Sequence, residues 1–309
     1  MSYKIETLNK PDWPPLLAQI PDPPKKLCFA GQVPDYERKF LCVVGSRKYS
    51  GYGKEATSAL IADLRGFPIT IVSGLALGID SIAHRLAIQN NLPTIAVPGS
   101  GLSPSALHPA SHSQLAEEIV ESGGTLLSEY EPDFKATQWS FPQRNRIMAG
   151  MCDATLIIEA EQKSGTMITA KLTTEYNREL LCVPGSIFNP MSEGPNMFLR
   201  LGATLVRSGD DILEALGVGK LGLVDSQKSL VNSSHPQSDK SDSGGLKKYS
   251  DCSDKELLIL QLLESPKEKS ELIREASAQN LSISEIQTTL TLLELKEHIE
   301  EKLGEMRLK

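Results

Sequence analysis

The stretch FPQRNRIMAGMCDATLIIEAEQKSGTMITA, residues 141–170, decides how the rest of the chain is read. It divides into a cationic group, Gln143-Arg144-Asn145-Arg146, an apolar run at 154–158, and a small-residue turn, Lys163-Ser164-Gly165-Thr166. A short apolar run bounded by turn residues is the pattern of a strand buried on both faces of a parallel sheet. The turn at such a strand's carboxyl end opens the next helix, where unpaired amides and the helix dipole favour an anion. Open α/β sheets place their ligands along that edge. Lys163 adds a mobile cation there, and Ser164 and Thr166 add hydroxyls. Arg144 and Arg146, read as a turn before the strand, can fork onto the same anion. Either half alone is matched by a surface salt-bridge cluster or a Ser/Thr-capped helix. Bracketing one strand, the two halves predict a phosphate-binding site.

Outward from this strand the pattern repeats. Apolar runs recur at 41–44, 69–72, 94–97, 125–127, 180–183 and 203–206, and helix-length segments at 53–64, 79–89, 113–121, 166–178 and 210–216 separate most of them. Such alternation predicts an α/β domain over residues 39–217, a parallel sheet with helices on both faces. Residues 1–38 are rich in proline, which fixes φ and removes donors, and read as an irregular arm packed on that domain. Residues 218–250, rich in Ser, Lys, Asp and Gly, hold too little apolar content to fold and read as a flexible linker. Structure returns over 251–309. Ser253 and Glu256 form a capping box, further helices are expected at about 270–278 and from about 284, and a two-strand ribbon turns at Gly304. Three helices and a ribbon predict a small α+β winged-helix domain.

Composition narrows the function. Hydrophobic content of 40% and charged content of 23% suit a soluble globular protein. Net charge is −7, so a polyanion site has to be a local concentration of cations. Aromatic content of 5% argues against a surface built on many stacking platforms. The winged-helix segment carries 8 Lys and Arg against 13 Asp and Glu, a net of −5, which disfavours groove binding and favours a protein-contact role. Cys28, Cys42, Cys152, Cys182 and Cys252 form no C-x-x-C pair and read as thiols of a reducing compartment. The amino-terminal residues show no signal pattern and no run approaches membrane-spanning length, so a cytosolic protein is expected, with no membrane partner.

Three further turns follow strands: Gly45-Ser46-Arg47, the segment from Gly74 to Gly78, and the turn at Gly99. Glycine lets backbone amides approach a phosphate, although α/β folds also need it there for packing. Arg47, directly after Gly-Ser at a strand end, is the strongest single candidate. Neither G-x-x-x-x-G-K-[ST] nor G-x-G-x-x-G is present at the first βα turn. His84 reads as a structural partner of Asp80 one turn earlier. His108 and His112 lack a third ligand nearby, so no metal, no cofactor and no catalytic residue is assigned.

Taken together, GSRKYSGYG, VSGLALGIDSIAH, VPGSGL, GGTLLSEY, FPQRNRIMAG, LIIEAEQKSGTMITA, VPGSIFNPMSEGPN and LGATLV resemble the DprA/Smf family (DNA-processing protein A) in order and spacing over residues 13–216. The resemblance implies an extended Rossmann-like domain that forms a homodimer and binds single-stranded DNA without sequence preference. It also implies protection of incoming strands during natural transformation and loading of the RecA recombinase. It puts DNA contacts on Ser46, Arg47, Arg144, Asn145, Arg146, Lys163, Ser164, Gly165 and Thr166. Against the family pattern, the helical domain many members carry before residue 13 is not expected here, and the LSPSALHP loop leaves Ser103 without an expected ligand role. The fold is also similar to that of phosphoribohydrolases that cleave nucleoside monophosphates. There, a glutamate stands where this chain has Thr169, which disfavours an enzyme.

Overall fold

In a computed structural model, the described residues are 3–218 and, with short gaps, 254–308. The expected linker, from residue 219 onward, lies outside them. The chain forms two compact units.

The larger unit is built on a nine-stranded sheet. Seven strands run parallel: β3 (Lys39–Val44), β4 (Ile69–Ser73), β5 (Thr94–Ala96), β6 (Thr125–Ser128), β7 (Ala154–Ile157), β8 (Glu179–Cys182) and β9 (Thr204–Leu205). Helices α1 (Gly51–Asp63), α2 (Ile79–Gln89), α3 (Ser113–Glu121), α4 (Ser140–Met151), α5 (Thr166–Glu175), α6 (Glu193–Arg200) and α7 (Gly209–Ala215) connect or follow them. Successive side chains of a strand point to opposite faces, and β3 shows the consequence. Leu41 and Val43 enter a core with Ile61 of α1, Ile79 of α2 and Ile212 of α7. Cys42 and Val44 enter the other, with Met148 of α4, Met167 of α5 and Phe198 of α6. Burying one such side chain fully contributes about 1.5–3 kcal/mol, so the strand is held from both sides.

Two expectations change here. The sheet is mixed rather than parallel throughout, because the arm contributes β2 (Leu27–Gly31), antiparallel to β6, and β1 (Glu6–Leu8), antiparallel to β2 at the sheet edge. The prolines lie outside these strands, and β2 is itself an apolar run, Leu27-Cys28-Phe29-Ala30. Trp13, Leu17 and Ile20 of the arm are buried in the α4–α6 core. The second change concerns Gln143-Arg144-Asn145-Arg146, which is the middle of helix α4 rather than a turn. Positions 144–151 are buried all round, so polar residues interrupt the apolar periodicity by which a helix is normally found.

Strand order is β6-β5-β4-β3-β7-β8-β9. From β3 the chain proceeds outward through β4, β5 and β6, then returns to begin β7 on the other side of β3. Helix α1, leaving β3, and helix α5, leaving β7, therefore cover opposite faces. The divergence opens a crevice at the strands' carboxyl ends, at a topological switch point.

The smaller unit has helices α8 (Asp254–Leu262), α9 (Lys269–Ala278) and α10 (Ile283–Leu295) and strands β10 (Lys267–Glu268), β11 (Ile299–Lys302) and β12 (Glu305–Leu308), in the order β10-β12-β11. Strand β10 makes a third strand where a two-strand ribbon was expected. Ile259, Leu272, Ile286, Leu290 and Met306 form its core. Lys296, after α10, lies 2.8 Å from the buried Glu256. Ser253 and Gly304 lie outside the described residues.

Candidate functional site

The crevice between β3 and β7 holds a cavity of about 590 Å³. Its walls are the turn after β3, with Gly45, Ser46, Arg47 and Lys48; Phe141, Arg144 and Asn145 of α4; and Ser164, Gly165 and Thr166 at the start of α5. The expected phosphate turns after β3 and β7 thus face one space.

Arg47 is exposed, and its guanidinium carbon lies 5.5 Å from the centroid of the Phe141 ring. That stacking holds the cation at the mouth while leaving its donors outward. Ser46 is turned inward instead: its Oγ accepts from the Lys48 amide at 3.0 Å and braces the turn. Gly78, at φ +86°, lies so close that a Cβ there would stand 2.3 Å from the Ser46 carbonyl oxygen. Both the left-handed backbone and the contact require glycine. Side chains at Gly45, Gly74 and Gly99 would meet Ile79, Arg144 and Phe141 respectively. These four glycines serve the close packing of turns, and the Gly74 amide is already donated to Asp80 Oδ2 at 3.1 Å.

Arg144 forms the floor. Its Nη1 donates to the Gly74 carbonyl at 2.6 Å and to the Val97 carbonyl, joining the turns after β4 and β5. Burial raises the Asp80 carboxyl above the ordinary carboxylate range, against the opposing pull of the Arg144 guanidinium and the Ala76 and Gly74 amides. The guanidinium stays charged even when buried, so Arg144 is the internal countercharge of this floor. Asn145 Nδ2 donates to the Gly165 carbonyl at 3.4 Å, tying α4 to the start of α5.

Arg146 does not join them. Its Nη2 donates to Glu129 Oε2 at 2.5 Å, and its Nε lies 3.4 Å from Asp22 of the arm. Two residues apart on a helix are about 200° apart around the axis, so Arg144 and Arg146 do not fork onto one anion. The fork expected of a turn is lost once the segment is helical.

At the start of α5, Lys163 is exposed with no partner among the described residues. The Ser164 Oγ is buried without a hydrogen-bond partner, and Gly165 has open space where a Cβ would stand. Thr166 donates its hydroxyl to the Gly45 carbonyl at 3.1 Å, pinning the two turns together. Here an anion has an exposed cation and the N-terminus of α5 within reach.

Two features of the site were not read from the sequence. Glu159, 1% exposed, accepts from the Ser50 amide at 2.9 Å and from the Ser50 hydroxyl at 2.5 Å, placing a carboxylate at the N-terminus of α1. An anion-favouring helix end is thereby filled by the chain itself. An aromatic cluster also precedes α4, whose Phe141 lines the cavity, with Tyr130 stacked on Phe134 at 4.3 Å and Trp139 edge-on to Tyr130 at 6.0 Å. Whole-chain composition hid it, because four aromatics lie within residues 130–141. The Asp80–His84 contact is replaced as well: His84 Nδ1 pairs with the Thr94 hydroxyl at 2.8 Å. His108 packs on Phe141, while His112 Nδ1 bonds the Leu75 carbonyl oxygen at 2.8 Å.

Residues 4–217 match the family model described as DNA recombination-mediator protein A. Protein Smf of Escherichia coli (strain K12) is 39% identical over 225 residues, covering 73% of this chain and 60% of the relative, so the chain spans less than two thirds of that protein. DNA processing protein DprA of Streptococcus pneumoniae is 38% identical over 197 residues, 64% of this chain and 68% of the relative. The X-ray structure of the Streptococcus pneumoniae DprA superposes with a TM-score of 0.63 at 35% identity, covering 69% of this chain and 74% of that one. A Helicobacter pylori DprA structure concerned with that protein's single-stranded DNA binding mode gives 0.61 at 30% identity, covering 69% and 96%. Among the described residues no helix is long and apolar enough to cross a membrane.

Proposed function

The chain belongs to the DNA recombination-mediator protein A family, the DprA/Smf family, and from that premise we propose that its β3/β7 cleft binds single-stranded DNA without sequence preference. One observation carries this reading: Arg47, stacked on Phe141, lines the same cavity as Ser164, Gly165 and Thr166 at the start of α5, and the exposed Lys163 directly precedes Ser164. Cations for phosphates beside rings for bases are the two components of sequence-tolerant single-strand binding. Lys163, Ser164 and Gly165 take the backbone, and Arg47 bridges phosphate and base. Arg144, Asn145, Ser46 and Thr166 hold the cleft's shape rather than grip the strand. The protein acts as a homodimer and hands the strand to RecA, with the C-terminal unit, read as a winged helix, serving protein contact through its acidic surface.

Binding rather than hydrolysis fits position 169, where the cleft wall carries a threonine and no carboxylate. Of the carboxylates lining the cleft, Asp80 is engaged by the Gly74 and Ala76 amides, and Glu161 is exposed. Incubation with a nucleoside monophosphate tests this directly, and release of ribose 5-phosphate at enzymatic rates would overturn it.

Oligo-dT titration of Arg47→Ala tests the site. The substitution removes one phosphate-directed cation and weakens binding by about tenfold or more, without disturbing a buried contact. An Arg47→Ala affinity equal to wild type would remove Arg47 from the interface.

A further inference from the structure

Beyond the cleft, the surface carries an aromatic feature that the cavity does not use. Next to Arg47 and Lys48 comes Tyr49, 44% exposed, and then Tyr52 in the first turn of α1, 47% exposed. Tyr52 donates its hydroxyl to the Pro184 carbonyl at 2.6 Å, which joins this turn to the one following β8. That second turn presents Ile187 at 83% and Phe188 at 90% exposure.

The turn is anchored rather than loose. Asn196 of α6 donates to the Gly185 carbonyl at 3.0 Å and accepts from its amide at 3.3 Å. Asn189 N–H donates to Ser186 O at 3.1 Å, and Met191 O accepts from Ala160 N at 2.7 Å. Two neighbouring large apolar side chains are therefore held outward by a fixed backbone, which marks a contact surface.

Charge identifies the occupant. Segment 47–54 holds Arg47, Lys48 and Lys54 and no carboxylate. Lys48 and Lys54 are both exposed with no ion-pair partner among the described residues. Lysine is depleted at protein–protein interfaces, whereas rings interleaved with unpaired cations are the surface a nucleic-acid strand uses. Lys48 also lines the cavity, so the ledge begins where the cleft wall ends. Resting on the cleft reading above, we infer that a single strand leaving the cleft continues over Lys48 onto a ledge formed by Tyr49, Tyr52 and Phe188, where its next bases stack.

The test compares two lengths of oligo-dT on the full-length protein. A short one, of roughly four nucleotides, fills the cleft, and a long one, of roughly sixteen, also reaches the ledge. Phe188→Ala and Tyr49→Ala remove exposed rings without touching the core. Each should weaken the long oligonucleotide by about tenfold and leave the short one unchanged, while Arg47→Ala weakens both. Unchanged affinity for the long oligonucleotide, or an equal loss at both lengths, overturns the ledge and leaves the cleft standing. Failure of the wild type to bind either length overturns the cleft reading and the ledge with it.

Discussion

Arg144 reaches the Gly74 and Val97 carbonyls in the cleft floor, whereas Arg146 reaches Glu129 and Asp22 beside the arm. Sequence alone identified both as important but not that they serve different neighbours, because the angle between them exists only once the segment is a helix. Their variants should separate. Arg144→Ala leaves the Gly74 and Val97 carbonyls without their buried donor, at about 1–3 kcal/mol for each group left unsatisfied, read as a lowered midpoint in urea. Arg146→Ala also lowers the midpoint, since the largely buried Glu129 side chain loses its partner. Oligo-dT affinity of the folded Arg146→Ala protein should match wild type, because Arg146 is absent from the cleft wall. His84 gives a pH dependence: burial first, with His112 and Arg144 adding to it, lowers its pKa to about 3. A folded value below the ordinary 6.5 means neutral imidazole is favoured in the native state. The stabilisation is complete above about pH 6.5 and is lost as pH falls from there toward about 3. Urea midpoints across that range should fall less steeply for His84→Gln than for wild type.

Elements were legible where burial made them uniform. The parallel strands showed as apolar runs, and their turns showed as glycine clusters, because both signals are local. Helix α4 was hidden because Arg144, Asn145 and Arg146 are buried polar residues held by tertiary partners. Strands β1 and β2 were hidden by the prolines around them, although only the strands themselves need to be free of proline. Their attachment is testable at Gly150, where an added Cβ would stand 2.7 Å from the Ile20 Cγ2 and near Leu17 of the arm. Gly150→Val overpacks that seam, an effect worth about 1–3 kcal/mol. Limited proteolysis should then cut within residues 9–26 faster than in wild type, and equal rates would show that the arm yields without detaching.

For the molecule as a whole, a net charge of −7 means long-range attraction cannot bring a polyanion to the cleft. Binding has to come from a few local cations, so its salt dependence should be modest in slope yet unmistakable. Single-strand affinity falls with log salt at about 0.7 per neutralised phosphate. Lys163→Ala should lower the measured slope by about that amount, and an unchanged slope would exclude Lys163 from the contact. The tight cap that Ser50 and Glu159 form on α1 has one last effect on this economy of charge. Helix α1 is stoppered from within, whereas the first turn of α5 lines the cavity with its N-terminus open to a visiting anion. On the proposed single-strand reading, that asymmetry predicts one bound polarity, with the 5′ and 3′ ends of the nucleotide chain leaving by different doors.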